Sequence, residues 1–174
     1  MKNVEYRIKY KIEHFGLPDY ESIPNVGLFL DQVTKYLSEY FKEFHSFSVT
    51  GSMISNYVKQ GLVANPVRRQ YGREQIAYLF FIVVAKTVLS LEDIQLLIQL
   101  QKQTYPVQAA YEYFRQELSR VLNAVFGVGE LSGSGSGPDT PEREILRNTV
   151  IAVAHKVYID QCLLLSRGEQ TDQD

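Results

Sequence analysis

Helical periodicity is the feature of this sequence that most constrains its fold. From residue 24 to residue 165, apolar residues return every three or four positions in successive segments. No stretch of any length shows the apolar–polar alternation of a half-buried strand. The pattern predicts an all-α protein with helices over about 24–44, 50–60, 73–88, 91–101, 106–125 and 141–165.

Glycine, proline and hydroxyl residues predict where the first helices begin and end. Gly16, Pro18 and Pro24 interrupt any periodicity, so residues 1–24 are expected to be irregular. Pro24 also suits the first turn of the helix that follows, because its missing N–H has no partner there. We expect Thr50 to cap the next helix and Gly61 to end it in the left-handed region.

Similar signals divide the rest of the chain. The segment from Leu62 to Gly72 cannot be helical throughout and is expected to form a short hairpin or loop. Ser90, with Asp93 three residues on, has the pattern of a capping box. Thr104 is expected to cap a further helix that has Pro106 in its first turn.

Domain organisation follows from these boundaries. We expect an irregular segment over 1–24, a core over 25–101, and a C-terminal helical region over 102–174. Within the last, Ser132 to Gly137 alternates serine and glycine, as a flexible linker of natural or engineered origin does. The final helix is not expected to be an independent domain, since one helix cannot bury its own apolar face.

Composition predicts a cytoplasmic protein. A chain of 174 residues with 45% apolar residues can bury a sizeable core without disulfides or metal. The single Cys162 rules out an intramolecular disulfide, which fits a reducing compartment. The N-terminus lacks a signal-peptide pattern, and the most apolar stretch, 77–85, is far shorter than the roughly 20 residues that cross a bilayer. We therefore expect no association with a membrane.

The charge distribution is uneven although the net charge is only −2. No acidic residue lies between Glu43 and Glu74, and that interval carries four cations. Its local charge of +4 leaves −6 for the rest of the chain. A basic segment on an acidic protein is typical of a phosphate-contacting face. A solvated patch with no partner is the alternative.

The segment Met53 to Val63 resembles the recognition helix and exit turn of MerR-type regulators. An arginine-rich turn follows, then Tyr71, a helix, and Leu89 to Ile94, which is similar to the start of that family's next helix. The resemblance implies a winged helix-turn-helix DNA-binding core, followed here by a C-terminal helical bundle. The recognition helix would lie at about 50–60 and the basic wing at about 64–72.

A second, narrower resemblance points the same way. Ser52 to Val63, followed by Gln70 to Leu79, resembles the bacterial family of domain of unknown function 1836, which is regarded as MerR-like. This resemblance extends from Pro24 to Phe126. It implies a fold and binding to double-stranded DNA, without indicating an effector.

The resemblance implies a set of DNA contacts. Typical MerR helices carry Arg-Tyr where this chain has Ser55-Asn56, so its docking contacts differ in detail. Polar residues of the recognition helix are predicted to face the major groove, the wing arginines to reach flanking phosphates, and two residues at the wing's base to contact the DNA backbone. The predicted groove contacts are Ser52, Ser55, Asn56 and Lys59. The wing arginines are Arg68 and Arg69, and the residues at the wing's base are Tyr71 and Arg73.

The residues that could support catalysis are sparse. His14, His45 and His155 are scattered, and neither a phosphate loop nor a cluster of cysteines and carboxylates is present. We therefore predict that the protein is not an enzyme and holds no metal or cofactor.

Two alternatives to DNA binding stay open. One is a protein-interaction module that holds a partner on its apolar C-terminal helices. The other is a small-molecule sensor whose ligand is enclosed by tyrosines, namely Tyr105, Tyr111, Tyr113 and Tyr158. Helix-turn-helix regulators bind paired half-sites as dimers, so we also expect a homodimer formed by the last two helices.

Overall fold

The computed structural model describes residues 2–129 and 140–171. Its secondary structure is helical. Seven helices lie in this part of the chain: α1 Lys2–Glu13, α2 Leu30–Phe41, α3 Gly51–Lys59, α4 Arg73–Ala85, α5 Leu91–Thr104, α6 Val107–Val125 and α7 Pro141–Thr171. Single 3-10 turns occur at Tyr20–Ser22 and His45–Phe47. No strand forms within the described residues, so the predicted all-α class is confirmed. The Ser132 to Gly137 linker lies outside them.

Helix α4 is the centre of the fold because it is apolar on every side. Eight of its residues are buried: Ile76, Ala77, Leu79, Phe80, Ile82, Val83, Val84 and Ala85. The helix packs against α6 and α7, and the Phe80 ring lies within 5.6 Å of the rings of Tyr40 and Phe41. One hydrophobic core extends from Ile12 to Val157, so residues 25–101 and 102–171 share it.

Helix α7 is 31 residues long and packs along α6. Val150, Val153, Ala154 and Val157 are buried in the common core. By length and composition alone the helix could cross a membrane, over Pro141–Arg167. In this fold 39% of its most apolar window is buried inside the protein.

The expectation of an irregular N-terminal segment is wrong for most of its length. Residues Lys2–Glu13 form α1, which packs against α6 and α7 and buries Ile12. The first helix-breaking residue is Gly16, and nothing before it opposes a helix once those two partners offer an apolar surface. On α7, Gln161 accepts a 3.0 Å hydrogen bond from the Lys11 Nζ.

Helix boundaries depart from the sequence in two other places. Pro24 lies outside any helix, and α2 begins at Leu30. Thr104 is the last residue of α5, where its hydroxyl donates to the Leu100 carbonyl, and it does not cap α6. The predicted cap at Ser90 is confirmed, since its Oγ accepts from the Asp93 N–H at 3.1 Å.

Candidate nucleic-acid interface

Helix α3 has well-defined ends and one buried face. The Thr50 Oγ1 accepts a hydrogen bond from the Met53 N–H at 3.2 Å, which caps the N-terminus. At the other end Gly61 has φ of 77°, and the Leu62 N–H donates to the Tyr57 carbonyl at 2.9 Å. This is a Schellman motif, so both predicted termini are confirmed. Ile54 and Tyr57 are buried beneath the helix.

The opposite face of α3 is polar and open to solvent. Ser52, Ser55, Asn56 and Lys59 are all exposed, so the four residues predicted to face the groove share an accessible surface. The Asn56 Oδ1 accepts a 3.1 Å hydrogen bond from the Gln60 side chain, which leaves the Asn56 Nδ2 group directed at no described acceptor.

A tight two-residue turn follows α3 at the position of the predicted wing. Val67 and Gln70 exchange both backbone hydrogen bonds, at 3.0 and 2.9 Å. The two central residues, Arg68 and Arg69, have φ of 51° and 65°. Positive φ at both central positions defines a type I′ turn, where asparagine and glycine are the favoured residues. Here two arginines occupy the left-handed region in succession.

This turn is smaller than the strand-paired wing that the MerR resemblance implies. In the part of the chain that the structure describes, it contains two isolated antiparallel bridges, Leu28 to Tyr71 and Val67 to Gln70, and no strand. The predicted hairpin or loop between Leu62 and Gly72 is therefore a turn on a short pairing.

The base of the turn is fixed by neighbours from two other segments. Tyr71 and Leu28 exchange backbone hydrogen bonds of 2.8 and 3.0 Å. The Gln75 side chain accepts from the Gly72 N–H and donates to the Ala64 carbonyl, and so closes the loop between them.

Close approach at this pairing requires a glycine at position 27. A Cβ built on Gly27 would lie 2.6 Å from the Gln70 Cβ, well inside van der Waals contact. The residue therefore permits the segment before α2 to lie directly against the turn.

Lys59, Arg68 and Arg69 are exposed and take no part in the ion pairs formed between described residues. Their positive charge is therefore not neutralised by a neighbouring carboxylate of the described fold. The two turn arginines lie nine and ten residues beyond the end of α3, on a base whose backbone is hydrogen-bonded on both sides.

Tyr71 and Arg73, the other two predicted contacts, are engaged in the fold. Tyr71 is only 4% exposed, and burial raises the pKa of its hydroxyl. Arg73 donates to Glu21 Oε2 at 2.6 Å and to the backbone carbonyls of Glu21 and Ile23 at 3.0 and 2.9 Å. The Tyr71 backbone supports the base of the turn, whereas Arg73 joins the start of α4 to the segment at residues 21–23. Neither residue presents its functional group as a free surface.

Several residues that hold this site were missed by sequence reasoning. Gln75 and Gly27 act through the contacts above, and Gln95 of α5 donates to the Gln60 carbonyl at the end of α3, at 3.3 Å. Of these residues, only Gln75 could have been identified from the sequence. It lies three residues after Gly72, which precedes α4, and this is the spacing of a capping-box glutamine. The other two contacts join segments distant in sequence.

The described residues contain no group of three or more histidines, cysteines and carboxylates arranged to hold a metal ion. Fold and site together define a class: an all-helical protein in which a short helix with an exposed polar face is followed along the chain by an exposed cationic turn.

Comparison with known families places the chain more narrowly. The model of the family described as Domain of unknown function (DUF1836) matches residues 18–114, more than half of the sequence, and the chain belongs to that family. The matched region includes α3, the arginine turn and the residues that support both. No curated protein and no solved structure matches the chain.

Proposed function

We propose that this protein is a sequence-specific DNA-binding transcriptional regulator that uses α3 and the arginine turn. The observation that carries the proposal is the pair Arg68 and Arg69, exposed and both at positive φ. A left-handed backbone costs an ordinary residue roughly 1–2 kcal/mol. The presence of two arginines where asparagine and glycine fit better supports the proposal that their charges bind a ligand. Adjacent guanidinium groups are suited to phosphates.

Helix α3 supplies the other half of the proposed interface. An asparagine side chain can pair with both N6 and N7 of adenine in the major groove, whereas serine can contact a base or a phosphate. We assign base readout to Asn56, with Ser52 and Ser55 as further groove contacts. Lys59 would neutralise a phosphate. Tyr71 and Arg73 have a positioning role in this arrangement, since the fold already engages them.

A homodimer on α7 is part of the proposal, because paired half-sites require two copies. Ile145, Ala152 and Ile159 are exposed and recur every seven residues, and Leu163 extends the same apolar stripe. That spacing keeps a continuous seam on one side of a helix. A cytoplasmic protein of this kind would bury the stripe against the partner copy. The same stripe favours a protein-interaction module as the alternative function.

The DNA-binding proposal is tested by fluorescence-anisotropy titration against a random genomic-fragment pool at low and moderate salt. The decisive variant carries Arg68→Asn and Arg69→Gly, which removes two charges and keeps the turn type. We expect the wild-type affinity to fall steeply with salt. In the variant, the slope of log K against log salt should decrease by about one for each phosphate that is no longer neutralised.

A matched control removes two exposed cations elsewhere, with Lys35→Gln and Arg167→Gln. This control changes the net charge equally and should leave the slope near that of the wild type. Equal decreases in the salt slope for the two variants would mean that the turn arginines act only through the overall charge of the protein. Absence of binding by the wild type at both salts would reject the DNA proposal in favour of a protein partner.

Sequence readout is tested separately, on an operator selected from the same pool. Asn56→Ala should lose about 1–3 kcal/mol on that operator and little on unrelated DNA. Uniform weakening on all sequences would assign Asn56 to positioning. For the dimer, Ile159→Glu should convert a dimer to a monomer in light scattering, and a monomeric wild type would contradict that part of the proposal.

A further inference from the structure

A cavity of about 90 Å³ lies among α4, α5, α6 and the first turns of α7, away from the proposed interface. Its walls are mainly apolar, including Ala77, Phe81, Leu97, Ala110, Phe114 and Leu146. Ala109, which also lines it, is exposed, so the cavity is open to solvent on one side. A site of this kind, concave and apolar with few polar groups, is typical of small-molecule binding.

Most polar groups along the wall are already bonded to one another. The Tyr78 hydroxyl donates to Gln101 Oε1 at 2.9 Å, and the Gln101 Nε2 donates to the Tyr105 carbonyl at 2.6 Å. The Tyr111 hydroxyl, buried beside them, donates to the Pro18 carbonyl at 2.9 Å. A ligand would therefore gain no hydrogen bond from these groups without breaking an existing one.

Tyr113 is the exception among the described residues that line the cavity. Its side chain is 9% exposed, and its hydroxyl is fully enclosed with no described partner within hydrogen-bond distance. Buried hydroxyl groups in folded proteins are rarely left in this state. Tyr113 lines the cavity, and its hydroxyl reaches a molecule in the cavity when the side chain turns toward it.

We propose that this cavity binds a small, uncharged aromatic molecule with one hydrogen-bonding group, which pairs with the Tyr113 hydroxyl. The lining includes the rings of Tyr78, Phe81 and Phe114, against which an aromatic ligand can pack by edge or face. An ionised ligand is disfavoured, because apolar walls would remove its hydration without replacement. Glu142 and Arg143 also line the site, and their opposite charges select neither sign.

The volume sets the size of the ligand. An apolar cavity of about 150 Å³ accommodates benzene, whereas a single water needs only about 10–15 Å³. The space here is between these values and continues outward past Ala109. It suits one ring that extends partly into the opening, and it is too large for a lone water. The site is independent of the proposed DNA interface, so either can fail without the other.

The proposal is tested on the full chain by two-dimensional methyl NMR, with phenol, toluene and benzoate as probes. Phenol and toluene have nearly the same shape and differ in one hydroxyl, whereas benzoate carries a charge. We expect phenol to bind saturably at the methyl groups of Ala77, Leu97 and Leu146, about fivefold more tightly than toluene. Benzoate should bind at least tenfold more weakly than phenol.

Variants assign the effect to Tyr113. Tyr113→Phe should abolish the preference for phenol over toluene while the protein melts at or above the wild-type temperature, because an unpaired buried hydroxyl has been removed. Tyr36→Phe, whose hydroxyl is buried outside the cavity, is the matched control and should retain the preference. Ala110→Phe should fill the cavity and abolish binding of both probes.

Each contrary result overturns a defined part of the proposal. Absence of saturable shifts with both phenol and toluene would reject the ligand site. Benzoate binding as tightly as phenol would reject the uncharged ligand class. A preference for phenol that persists in Tyr113→Phe would reject the role of that hydroxyl.

Discussion

The turn at Val67–Gln70 and helix α4, which begins three residues later, differ in burial and in how well their residues suit the backbone conformation. Eight of the 13 residues of α4 are buried, and the Phe80 ring is fully enclosed among other rings. In the turn, Val67 is 74% exposed, and Arg68 and Arg69 adopt a backbone that suits other residues better.

Folding accounts for the eight buried residues of α4, since each removes apolar area from water. It gives no reason for arginine at either turn position, where the side chain gains no ion pair among the described residues and the backbone is strained. The contrast teaches that stability accounts for the buried residues of the helix and does not account for the arginines of the turn.

The largest expected effect belongs to the helix. Phe80→Ala removes a ring that packs against Tyr40, Phe41 and Tyr111, and should lower the free energy of unfolding by about 3–5 kcal/mol. Urea denaturation monitored by circular dichroism measures the loss. Val67→Ala, on the exposed turn, is the control and should change stability by less than about 0.5 kcal/mol. Comparable losses in the two variants would remove the distinction between the regions.

Sequence reasoning succeeded where one local signal determines the structure. Helical periodicity and the signals at Thr50, Gly61 and Ser90 predict helices and ends that the structure contains, because these act within a few residues of chain. The exposure of Ser52 and Asn56 follows from the same periodicity.

It failed where contacts join distant segments. Helix α1 is stable through packing on α6 and α7, which lie more than ninety residues away in sequence. The same reason applies to Arg73. The local sequence places Arg73 at the start of a helix beside the turn, but does not show that it bonds to residues near position 22. Its role as a support could be read only from the fold.

An intermediate effect on stability is expected at Arg73. This residue is an arginine, as are the two central residues of the turn, but its guanidinium is hydrogen-bonded within the fold. Arg73→Met should lower the free energy of unfolding by about 2 kcal/mol, because it leaves the carbonyl of the buried Ile23 without its donor. The salt slope of DNA binding should not change, since the guanidinium is engaged within the protein. Denaturation and anisotropy together measure both quantities.

Lys35→Met, at an exposed cation of α2, is the matched control for Arg73 and should alter stability by less than about 0.5 kcal/mol. A decrease in salt slope for Arg73→Met, with no loss of stability, would place Arg73 in the interface. It would also erase the difference between this residue and the turn arginines.

The smallest effect is the one with the opposite sign. The double variant Arg68→Asn, Arg69→Gly should raise the free energy of unfolding by about 1 kcal/mol, because both residues accept the left-handed backbone of a type I′ turn. The gain is less than the full strain, since glycine also increases the entropy of the unfolded chain. Arg68→Lys with Arg69→Lys keeps charge and strain, and should match the wild type. A stabilised protein with a reduced salt slope of DNA binding would show that the turn trades stability for function. A destabilised protein would show that the arginines serve the fold.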